Sequence, residues 1–137
     1  MALILSAAAR NAAVDSVTAL FNANGGGTIE IGTGTPASFG SVLATLILSN
    51  PSFWAAGSGS GTPASTTGLA SAKTITPDTN TSGTGTAGAF RIKDGSGNVI
   101  ISGSVGTSAA DIIFSSVSFT PGGTCSISSL TLSCPAS

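Results

Sequence analysis

Histidine and tyrosine are missing altogether from this chain, and only nine of its 137 residues carry charge, four basic and five acidic. General acid–base chemistry at neutral pH draws first on histidine, then on carboxylates, lysine, tyrosine and cysteine with tuned pKa values. The whole stock here is Arg10, Asp15, Glu30, Lys73, Asp78, Arg91, Lys93, Asp94 and Asp111 plus two cysteines, scattered one or two at a time. Without histidine no Ser-His-Asp arrangement can be assembled in any chain order. Four basic residues cannot neutralise a phosphate tract or hold an anionic bilayer surface, which argues against nucleic acid and membrane as partners. The apolar start at Leu3, Ile4 and Leu5 is far too short to cross a bilayer and has no basic segment before it, so no signal peptide is expected. Synthesis in the cytosol is the default expectation.

Cysteine is almost as scarce. Cys125 and Cys134 are too far apart in sequence for the short spacing of a structural zinc site. On one extended strand they would lie roughly 30 Å apart, at about 3.3 Å per residue, beyond the reach of a disulfide. Both read as small buried hydrophobes. Neither a metal site, a cofactor site nor a catalytic set is expected.

What fills the deficit is Gly, Ser, Thr and Ala. Hydrophobic residues still make up 41%, mean hydropathy is +0.47 and net charge is -1, a composition that folds rather than stays disordered. The length suits a single domain, residues 1–137. A nearly neutral surface with so few charges tends to associate. Abundant hydroxyls could keep such a surface soluble; permanent assembly, as a dimer or trimer or with another protein, is the favoured expectation, because charged protection of strand edges is absent.

Along the chain, residues 6–23 form one amphipathic helix. Ser6 is a good N-cap, Ala7, Ala8 and Ala9 are strong helix formers, and Ala13, Val17 and Leu20 (with Phe21 beside it) share a face. Gly25, Gly26 and Gly27 end it. From residue 28 the period becomes two. Strands are predicted at 28–31 and 42–48, with a turn over 32–39 and a stop at Asn50-Pro51. A hairpin runs over 87–93 and 99–104 around Asp94-Gly95-Ser96-Gly97-Asn98, and another strand covers 112–119. The Gly/Ser/Thr-rich stretch 57–88 holds one or two strands, near 65–70 and 72–75, or serves as an extended arm on a partner. In the last strand Cys125 and Ile127 share one parity and Leu130, Leu132 and Cys134 the other. The switch at Ser128-Ser129 calls for a β-bulge, or for a strand passing from one sheet to another. The fold class is therefore mainly β: an antiparallel β-sandwich, jelly-roll-like, over 28–134, with one N-terminal amphipathic α-helix.

The motifs that could carry chemistry dissolve in context. Gly32-Thr33-Gly34-Thr35-Pro36-Ala37 matches a dinucleotide fingerprint on paper, but a strand follows it and no acidic residue stands about twenty positions on. Asp94-Gly95-Ser96-Gly97-Asn98 begins like a calcium loop, yet Val99 and Val105 occupy the places of its glycine and glutamate. Ser71 and Lys73 would need a buried lysine to make a nucleophile pair. Paired carboxylates of the glycosidase kind usually stand in aromatic-lined grooves, and this chain has one Trp and six Phe. Asn80-Thr81-Ser82 fits a glycosylation acceptor, relevant only to a secreted eukaryotic protein. Phe53-Trp54 is the pair worth isolating: a core plug after the long strand, or an anchor in a subunit interface, where Trp is over-represented.

Several stretches resemble a family. The opening from Met1 through Arg10 to Asp15, Leu43-Ala44-Thr45-Leu46 with Asn50-Pro51-Ser52-Phe53, Phe90-Arg91-Ile92 with Asp94-Gly95-Ser96-Gly97, and Ser128-Ser129-Leu130-Thr131-Leu132 are similar to small tailed-phage virion proteins. Within that group the chain most resembles capsid cement, or head decoration, proteins; residues 79–86 and Cys134 depart from the pattern. The resemblance implies a non-enzymatic β-sandwich or jelly-roll that binds the outside of the major capsid protein lattice as a dimer or trimer. The rivals are a tail or tail-fibre component of the same particle and a carbohydrate- or surface-binding module.

Overall fold

Ser6 sets the start of the helix: its hydroxyl accepts from the Ala9 N–H at 3.1 Å and its carbonyl from the Arg10 N–H at 3.0 Å. A computed structural model describes residues 3–23, 25–54 and 68–133. Cys134 and residues 57–67 of the Gly/Ser/Thr-rich stretch lie outside the described residues. Helix α1 (Ala7–Ala23) stops where Gly25 and Gly26 take positive φ, 82° and 86°, and the Gly26 N–H bonds back to the Phe21 carbonyl.

The buried stripe of α1 is Val14, Thr18 and Phe21, one step round from the expected Ala13, Val17 and Leu20. Leu20 is 46% exposed, Ala13 is exposed and Val17 is half-buried. Phe21 decides the rotation, since alanines on either side give no preference and the largest apolar ring gains most from burial.

The strands are β1 (Thr28–Thr35), β2 (Ser38–Leu48), β3 (Leu69–Ser71), β4 (Ile75–Thr76), β5 (Gly85–Thr86), β6 (Ala89–Lys93), β7 (Val99–Gly106), β8 (Ile112–Ile113), β9 (Ser118–Phe119) and β10 (Thr131–Ser133). Six of them form a curled mixed sheet in the order β4-β2-β1-β6-β7-β8, while β10-β3 and β5-β9 pair separately. The expected turn over 32–39 shrinks to Pro36 and Ala37, because β1 and β2 stay paired as far as Thr35↔Ser38. The bulges that bend this hairpin both lie on β2, one at Leu43, whose side chain is fully buried, and one between Phe39 and Val42.

One sheet neighbour departs from the antiparallel expectation: β8 runs parallel to β7. The link, residues 107–111, is far shorter than the crossover that parallel neighbours usually need. Asp111 holds it, with Oδ2 accepting from Ser104 N at 2.9 Å and Ser104 Oγ at 3.1 Å. Nor is 112–119 one strand. Phe114 N still bonds to Gly106 O, but Val117 O accepts from Ala87 N and Ser118 pairs with Thr86, so the chain changes partners midway.

The same happens at the C-terminal side. Cys125 bridges to Asp78, the chain bends at Ser128, and residues 131–133 pair with β3. Of the two readings of the Ser128-Ser129 switch, the change of partner is the one found. It lets Cys125, Ile127, Leu130 and Leu132 all face one hydrophobic cluster despite their opposite parities. That cluster is built on Ile29, Ile31, Leu46, Phe90 and Ile92 of the sheet and closed by Phe21, Phe53 and the 125–132 chain.

Candidate functional site

The charged side chains do not converge on a cleft. Glu30 of β1 stands opposite Arg91 of β6; Arg91 Nε donates to Glu30 Oε1 at 2.5 Å and Lys93 Nζ sits 3.1 Å from the same oxygen. Alternation places all three on the sheet face opposite Ile29 and Ile92. Burial pushes the Glu30 carboxyl up, but hydrogen bonds and charge from Arg91 and Lys93 outweigh it and hold the group below its ordinary 4.5. The Arg91 guanidinium lies 4.2 Å from the centre of the Phe39 ring. That ring lies across Gly32, where any Cβ would collide with it. The cluster is a cross-strand lock between β1, β2 and β6.

Three other carboxylates serve the backbone. Asp78 accepts from Thr45 N and Asn80 N, both at 2.9 Å, tying the loop after β4 to β2. Asp94 accepts from Ser96 N and Asn98 N at 2.9 Å, so the calcium-like sequence is a turn whose carboxylate points into its own loop. Asp111 takes the Ser104 backbone and side-chain bonds, which lower its pKa below 3.8 against a slight opposing effect of burial. Glu30, Asp78, Asp94 and Asp111 therefore each answer to a different partner. Among the described residues no three His, Cys, Asp or Glu side chains gather in a way that could hold a metal ion. Ser71 is buried in β3, and Lys73 is turned to Trp54 rather than to it. Pro36 and Ala37 of the dinucleotide-like motif form a hairpin turn.

The expected interface pair separates. Phe53 is 2% exposed and belongs to the core, in contact with Phe21. Trp54 is only half-buried, and Lys73 Nζ lies 4.2 Å from its ring centre. The two sit beside a surface hollow of about 530 Å³, walled also by Ser49, Asn50, Pro51 and Thr74. Ser52, fully buried, donates through Oγ to Ser49 O at 2.9 Å and accepts from Lys73 N through its carbonyl at 2.8 Å, tying together two residues that wall the hollow. Only Trp54 of the pair can meet a partner. The Glu30 lock escaped sequence reading because it depends on register; its one sequence signal is the matching out-facing parity of Glu30, Arg91 and Lys93.

Cys125 is a free, buried thiol pushed up to about 11 by burial, with the Asp78 charge adding to the effect. It is no nucleophile at neutral pH. No helix of the described residues is long and apolar enough to cross a membrane. Compared with protein-family models, curated proteins and solved structures, the chain matches none of them.

Proposed function

We propose that this chain is a non-enzymatic virion structural protein, a cement or decoration protein that sits on the outside of a phage capsid and stabilises the major capsid protein lattice. The observation that carries the reading is the use of charge. Glu30, Arg91 and Lys93 lock strands together, Asp78, Asp94 and Asp111 hold backbone, Lys73 covers Trp54, and Arg10 and Asp15 are engaged as well. The surface left for contact is hydroxyl, glycine and alanine, with Ile47, Val99 and Ile113 each about half or more exposed. Such a surface packs against another protein without stripping water from ions, and many copies on a lattice multiply weak contacts. In this reading the curled sheet and its covering chain are an irregular jelly-roll sandwich, self-associated as a dimer or trimer.

The experiment is quantitative mass spectrometry of purified particles. Hundreds of copies per particle are expected; a handful would make it a tail or tail-fibre part, and absence would overturn the proposal. The Trp54 hollow favours a second reading, a carbohydrate-binding module. There Lys73 occupies one ring face, leaving a single face for a sugar, and a blank glycan array would dispose of it.

A further inference from the structure

The sheet ends at β8 with its outer side open. Gly106 pairs with Ile113, and Phe114 N bonds to Gly106 O at 2.9 Å. In a parallel ladder alternate residues turn their backbone groups to opposite sides, so the N–H and C=O of Ile113 point away from β7. Its side chain is 60% exposed. Facing this edge runs the chain 126–129, whose backbone groups have no hydrogen-bond partner among the described residues. Between the two lies a groove of about 290 Å³, adjoining a second of about 250 Å³; Asp111, Ile112, Leu130 and Thr131 line both. Two facing walls of main chain whose hydrogen-bonding groups find no partner among the described residues are what an added strand satisfies.

The segment before α1 has the complementary need. Leu3 and Ile4 are 77% and 75% exposed, uncharged, and outside the helix that Ser6 caps. Leu3, Ile4 and Leu5 expose on the order of 500 Å² when extended. If about three-fifths is covered, the groove contributes as much, and the contact is made twice about a two-fold axis, on the order of 1,200 Å² is buried. That reaches the lower bound of a specific interface.

We propose that Leu3, Ile4 and Leu5 of a second copy add as a strand to the outer edge of β8, so that two copies hold each other by exchanged arms. This deepens the assembly reading above by naming the partner as a second copy of the chain. The test mixes two variants, Ile4→Cys and Ile113→Cys, each also carrying Cys134→Ser, under mild oxidation. A disulfide-linked pair with one copy of each is expected. In parallel, Leu3→Asp with Ile4→Asp should halve the solution mass to the 13.0 kDa monomer, with the circular dichroism unchanged because neither side chain is packed. The proposal is overturned by an unmodified chain that is already monomeric, by a mass the aspartates leave untouched, or by a mixture that gives no cross-link. It fails equally if the cross-link forms only when both cysteines share one chain, since the arm then folds on its own edge. A monomer still found in particles at high copy sinks the exchanged arms and leaves the capsid reading standing; exchange in a chain absent from particles does the reverse.

Discussion

Phe21 of the helix and Phe53 of the loop after β2 hold each other out of water, their ring centres 5.5 Å apart and the planes tilted by 44°. Asn22, next on the helix, accepts the Ser52 and Phe53 N–H groups through Oδ1 at 2.8 and 3.2 Å. One turn of helix thus supplies both the apolar plug and the polar clamp that close the sheet's inner face. Asn11 does the same at the other end, accepting from Gly68 N at 2.7 Å just before β3.

Phe21→Ala is therefore expected to remove roughly 3–5 kcal/mol of stability, a large part of what a small domain has. Leu20→Ala, on the exposed side of the same turn, should change it by no more than about 0.5 kcal/mol. Urea unfolding of the two variants is the check. The opposite ranking would mean that the helix docks by the stripe its sequence first suggests.

That contrast shows where the sequence is legible. Binary pattern locates the helix, the 42–48 strand and the hairpin around Asp94, because each is decided within a dozen residues by caps, alternation and turn chemistry. It misplaces the helix face by one residue, since the neighbouring stripes Ala13-Val17-Leu20 and Val14-Thr18-Phe21 each carry two large or branched apolar residues and only the tertiary partner Phe53 singles out Phe21. It runs 112–119 together as one strand, since alternation does not say that Ile113 pairs with Gly106 while Ser118 pairs with Thr86. The Phe53-Trp54 pair is found by composition, but which ring faces inward is settled by the chain's path, not its pattern.

Acid should weaken the fold through Glu30. Its pKa is lower folded than unfolded, so its contribution is complete above the unfolded value near 4.5 and lost as pH falls through the lower folded value. Asp111 acts in the same sense below 3.8. Glu30→Gln should reduce the urea midpoint at pH 7 and flatten the acid limb of its pH profile. An acid limb as steep as that of the unaltered chain would mean that Arg91 and Lys93 do not hold the carboxylate.

Cys125 should resist thiol reagents while the chain is folded. With its pKa pushed up to about 11 and the group buried, almost no thiolate is available at pH 8. In a Cys134→Ser background, colorimetric titration should find no reactive thiol natively and one in denaturant. Rapid native labelling would place Cys125 at the surface and sink its role as a core residue.

Gly27 sits where the start of β1 passes under Lys93. A Cβ there would run into the Lys93 carbonyl oxygen, and the Phe21 ring is already 3.2 Å from the same point. Backbone cannot step aside as a flexible side chain can, so Gly27→Ala should destabilise by about 1–3 kcal/mol or more. A melting temperature unchanged by that substitution would show that the β1–β6 approach is looser than described.

Trp54 offers the most direct view of partner binding, because it is the only tryptophan in the chain. It is half-buried beside an open hollow, with Lys73 on one ring face, so covering the other face changes its surroundings more than anything within the fold does. Adding capsids that lack this protein should shift its emission to the blue in proportion to sites filled. Trp54→Ala should weaken capsid binding by about 2 kcal/mol or more, as buried aromatic anchors do, while Trp54→Phe keeps part of it. Lys73→Met separates ring from charge: it should leave binding largely intact if the ring is the anchor, and abolish it if a partner carboxylate is held by the ammonium. If emission stays fixed while the protein sediments with capsids, the contact lies on another face and Trp54 is only the lid of its own core.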